Sequence, residues 1–94
     1  MTTMREWIKI VSGGKCCYAA RFAGTDSVDV RLSILSKLIE KYCADARVVS
    51  FGMPGMEGIL AFDATMAEAK KLQEAGQYIA DRCHFAFEIK RVPE

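Results

Sequence analysis

The chain has 94 residues, enough for one small domain with a single core, and its 51% hydrophobic and 27% charged residues are an ordinary globular balance. Thirteen basic and twelve acidic residues leave a formal charge of +1, without the basic stripe that marks a dedicated duplex-DNA binder. No apolar run approaches the roughly 20 residues of a membrane-spanning helix, no basic amphipathic helix points to a membrane surface, and "MTTMREWIKIVSGG" lacks a secretory apolar stretch, so a cytoplasmic protein is expected.

Residues 5–11, "REWIKIV", and 15–22, "KCCYAARF", alternate as two strands around "SGG", with Gly13 and Gly14 supplying the positive φ of a two-residue hairpin turn. The Gly-Gly-Lys triplet is not a phosphate loop, which needs the longer GxxxxGK[ST] frame between strand and helix. "AGTDSVDV" then opens a helix. Thr25, Asp26 or Ser27 can cap it, and Val28, Leu32, Leu35, Ile39 and Tyr42 or Cys43 form its apolar stripe, widened by Ile34 and Leu38.

"ARVVSF" and "EGILAFDA" read as two more strands. Thr65 and Glu68 make a T-x-x-E capping box for a second helix through about Arg82, whose expected apolar face is Met66, Ala69, Leu72, Ala75, Tyr78 and Ile79. Gly76 interrupts it, which a close packing contact or a local bend would explain. "HFAFEIKRV" closes the chain as a strand alternating Phe85, Phe87 and Ile89 against Ala86, Glu88 and Lys90. The expected fold is one α+β domain over 1–94, ββαββαβ. It is a ferredoxin-like βαββαβ core preceded by an extra N-terminal strand, with two helices on one face of an antiparallel sheet.

The stretch between the middle strands, "FGMPGMEGIL", fits a type II turn at Met53-Pro54-Gly55-Met56, and no helix start follows it to hold an anion. It is read as a hairpin tip carrying two methionines. The cysteines, Cys16, Cys17, Cys43 and Cys83, include no CxxC pair and are expected to be reduced, buried thiols rather than metal ligands. No metal or cofactor motif is present in the sequence, and no cofactor is expected.

Two helices cover one sheet face, so the other needs an occupant. By alternation, Ile8, Ile10, Tyr18, Phe22, Phe85, Phe87 and Ile89 should face the helices. Trp7, Lys9, Val11, Cys17, Ala19 and Arg21 should lie opposite, with Val49, Phe51, Ala86, Glu88 and Lys90; a one-residue slip would invert the set. A short chain this rich in apolar residues is hard-pressed to bury them alone, so homodimerisation through this face is expected. A surface for another protein or a small molecule is the neighbouring reading. The candidate contact residues are Trp7, Lys9, Arg21 and Phe51 on the face and Met53 and Met56 at the tip.

Single-stranded nucleic acid fits less well. The stretch equivalent to an RNA-recognition strand has Ile59 and Ala61 where stacking aromatics belong, and Glu57 in place of a basic residue. A cofactor-independent enzyme is the alternative to a binding module, with Tyr18, Cys17 and His84 as candidates and a pocket between helices and sheet as its requirement.

Overall fold

The computed structural model describes residues 18–50 and 58–91. Within them the chain runs β1 (Tyr18–Ala23), α1 (Val28–Tyr42), β2 (Val48–Ser50), β3 (Ile59–Phe62), α2 (Met66–Cys83) and β4 (Ala86–Arg91). The strands form one sheet in the order β2-β3-β1-β4, antiparallel at every pairing. The fold is therefore α+β, two helices and a four-stranded antiparallel sheet.

Local chemistry starts and stops the helices where expected. Ser27, among the three cap candidates, takes the α1 cap by accepting from the Asp29 amide at 3.2 Å. At α2 the capping box closes both ways: Thr65 Oγ1 accepts from the Glu68 amide at 3.1 Å, and Glu68 Oε1 accepts from the Thr65 amide at 2.8 Å. His84 ends α2 in the left-handed region at φ 59°, and the Phe85 amide returns to the Ala80 carbonyl at 2.9 Å.

Tyr18, Ala20 and Phe22 of β1, with Leu60 and Phe62 of β3, share one core cluster with Leu35, Leu38 and Ile39 of α1 and Ala69, Leu72 and Ala80 of α2. Both helices thus pack on the same sheet face. Phe85, Phe87 and Ile89 pack against that cluster as the alternation requires, and Phe22 meets the Phe87 ring at 5.0 Å. Phe22, Phe62, Leu35, Ile39 and Leu72 are fully enclosed, and each such side chain stabilises the fold by about 1.5–3 kcal/mol.

Two expectations change, while the strand expected at 5–11, the first half of the expected hairpin, lies outside the described residues. Within them β1 pairs with β3 on one edge and with β4 on the other. On α2 the buried stripe is Ala69, Leu72, Gly76 and Ala80, while Met66 and Tyr78 are exposed at 69% and 58%. The small residues turn toward the sheet because they let the helix approach it. Finally, Cys43 is buried but Cys83 is exposed, so only the former is a small core hydrophobe. No disulfide joins the two, and Cys16 and Cys17 fall outside the described residues.

Gly76 owes its identity to packing. A Cβ there would lie 2.6–2.8 Å from three atoms of the Phe87 ring, so the glycine admits the ring rather than bending the helix.

Candidate functional site

The register puts Ala19, Arg21, Val49, Ile59, Ala61, Glu88 and Lys90 on the face without helices. The centre of that face is closed: Ala19, Ile59 and Ala61 are only 6%, 3% and 0% exposed. Arg21 stands directly across from Glu88, and its Nη2 donates to both carboxylate oxygens at 3.0 and 3.2 Å. The candidate anchor is therefore held in a half-exposed cross-strand ion pair. Beside it remains a gap of about 20 Å³, no larger than a water needs. Trp7, Lys9, Phe51, Met53 and Met56 lie outside the described residues.

Two wider concavities flank α2. The first, about 600 Å³, runs between α1 and α2. Leu38, Ala75 and Ile79 form its apolar part, Tyr42 and Tyr78 its aromatic walls, and Lys41, Lys71 and Glu74 its charged borders. Arg82 lies 4.5 Å over the Tyr78 ring and Lys41 Nζ 5.4 Å from the Tyr42 ring, cation–π contacts that steady both rings while leaving Tyr78 open.

The second, about 370 Å³, lies between α2 and β4. Tyr18, Ala69, Ile89 and Met66 give it apolar walls, and the Tyr18 ring is fixed by stacking on Phe62 at 6.0 Å. Lys70 and Gln73, one helical turn apart on α2, line one side, and β4 lines the other with Arg91, the Lys90 side chain belonging by register to the helix-free face. No carboxylate lines this groove, and none of its cations forms a salt bridge among the described residues.

His84 is exposed at the helix cap and lines neither groove. Among the enzyme candidates, Tyr18 alone is placed in a ligand-sized wall, and Cys17 is outside the described residues. Asp63 Oδ1 is buried without a hydrogen-bond partner, beside Asp45 and Glu68, but no group of acids, histidines or cysteines among the described residues is arranged to hold a metal. No described helix is long and apolar enough to cross a membrane.

Lys70, Gln73, Arg91 and the exposed position of Tyr78 were not legible as site features. "KK" at 70–71 and "KR" at 90–91 were the available signal, but only the packing of α2 on β4 joins them. No protein-family model matches the chain, and no curated protein and no solved structure is significantly similar to it.

Proposed function

We propose that this chain is a small binding module of the cytoplasm, self-associating as a homodimer, on a ferredoxin-like βαββαβ core with an extra N-terminal strand. The sheet order β4-β1-β3-β2, with α1 and α2 on one face, supports that arrangement.

One observation carries the binding reading: Tyr78, 58% exposed, stands in the wall of the groove between the helices. Tyrosine at the centre of a concave apolar surface is a frequent anchor of protein contacts. The borders suit a second copy of this chain, because a two-fold axis can bring Glu74 of one protomer against Lys41 or Lys71 of its mate. The helix-free face is the less favoured contact surface, since its described centre is closed and Arg21 is paired. Its remaining candidates are Trp7, Lys9 and Phe51, with Met53 and Met56 at the tip.

Light scattering behind a sizing column, in reducing buffer, tests this. The wild type is expected at twice the chain mass and Tyr78→Ser at the chain mass, still cooperatively folded because the side chain is exposed, with a lower Tm because the stabilisation from dimerisation is lost. A monomeric wild type rejects self-association. A dimer that survives Tyr78→Ser but is dissolved by Trp7→Ala moves the contact to the sheet face.

A second reading, a cofactor-independent small-molecule enzyme, is favoured by Tyr18 in the wall of the α2–β4 groove. It requires that Tyr18→Phe abolish turnover while leaving ligand affinity intact.

A further inference from the structure

We infer that the groove between α2 and β4 binds a small dianionic organic ligand, a phosphate monoester on a flat apolar body. The inference goes beyond self-association and concerns a different surface. It starts from the placement of charge. The chain is nearly neutral, and Arg21 is matched by Glu88 while Arg31 is held by the Phe22 and Asp26 carbonyls; the groove that Lys41 and Lys71 border also has Glu74 in its lining. Lys70 and Arg91 flank one concavity whose lining, among the described residues, holds no carboxylate. Like charges drawn together in this way repel, and an anion between them is what the arrangement favours.

The donor set narrows the class. Arg91 offers a planar fork suited to two oxygens of one group, and Lys70 adds a compact charge that can meet a remaining oxygen. A phosphate monoester, with about two negative charges near neutral pH, matches two cations better than a single carboxylate does. Beside the cations lie Tyr18, Ala69 and Ile89, an apolar wall whose aromatic ring is already held by Phe62. The volume of about 370 Å³ falls at the small end of ligand sites. Gln73 supplies a neutral donor and acceptor for a hydroxyl or amide on the ligand body.

The probe is phenyl phosphate, titrated into the ¹⁵N-labelled full chain, with phenol and inorganic phosphate as controls for the two halves of the ligand. Saturable shifts are expected at Tyr18, Gln73 and Ile89, with phenyl phosphate binding about tenfold or more tightly than either control. Lys70→Gln and Arg91→Gln, both at exposed positions, should each weaken it about tenfold, the loss of one charge-assisted contact, and the double variant should bind it no better than phenol. The double variant should keep the wild-type spectrum elsewhere and the wild-type mass, which separates this site from the helical groove. Three results overturn the inference: no saturable shift at millimolar phenyl phosphate, shifts that map away from the groove, or an affinity unchanged in the double variant.

Discussion

Gly76→Ala tests the closest approach of helix to sheet. In an exposed helix interior the substitution stabilises by about 1 kcal/mol, because alanine is the better helix former. Here the new methyl would lie 2.6 Å from Phe87 Cζ, 2.7 Å from Cε2 and 2.8 Å from Cε1, all inside any tolerable carbon–carbon contact. The ring cannot simply swing away, since it packs on the fully buried Phe22 at 5.0 Å. Overpacking of this kind costs about 1–3 kcal/mol, so the net expectation is a loss of about 1 kcal/mol. For a domain of this size that lowers Tm by roughly 4–8 °C. Phe87→Leu removes the three clashing ring atoms, and in that background Gly76→Ala should instead gain about 1 kcal/mol. Urea unfolding of the wild type, both single variants and the double gives the coupling, expected near 2 kcal/mol. A Gly76→Ala chain that is more stable than the wild type, or a coupling near zero, would falsify the ring-contact account of this glycine.

Arg31 donates through Nη1 to the Phe22 carbonyl at 2.8 Å and through Nε and Nη2 to the Asp26 carbonyl at 3.1 and 3.0 Å, so Arg31→Met should cost about 2 kcal/mol in urea unfolding and speed proteolysis of the β1–α1 loop. Thr65→Ala removes one half of the capping box and should cost about 1 kcal/mol, with Thr65→Ser recovering most of it. Arg21→Ala should cost less than about 1 kcal/mol, and the difference from wild type should shrink in high salt, because the pair with Glu88 is open to solvent; a larger, salt-independent loss would mean that the pair is buried in solution. Phenyl phosphate affinity should fall steeply with ionic strength while dimer mass holds, since one groove is bordered by a single sign of charge and the other by both.

Features encoded within a few residues were readable in the sequence. The α1 stripe and the Thr65–Glu68 box depend on spacings of three and four, and the buried Leu35, Leu38 and Ile39 follow from them. Strand alternation likewise set Tyr18 and Phe22 against the helices and Arg21 and Glu88 on the other side. What escaped was non-local. The double pairing of β1 is a fact about residues some 40 and 70 positions away, and no local window shows which strands become its neighbours. On α2 the alanines blur the apolar stripe, so Met66 and Tyr78 scored as core on hydrophobicity alone, while Gly76 and Ala80 lie inward because they are small. The α2–β4 groove joins residues 18, 70, 73 and 89–91, and no local window contains them together.

The same small stripe links fold to function. Ala69, Leu72, Gly76 and Ala80 seat α2 close on the sheet, and this leaves both of its flanks open. One flank, with Lys71, Ala75 and Tyr78, faces the groove toward α1; the other, with Met66, Lys70 and Gln73, faces the groove toward β4. The helix is therefore the wall common to both proposed contacts, and its height above the sheet sets the width of each. Phe87 fixes that height at Gly76, from the strand that also carries Lys90 and Arg91. A larger residue at 76 would lift the helix and separate Lys70 from Arg91 of β4. It follows that a stability defect at Gly76 should be accompanied by weaker anion binding, although position 76 lines neither groove.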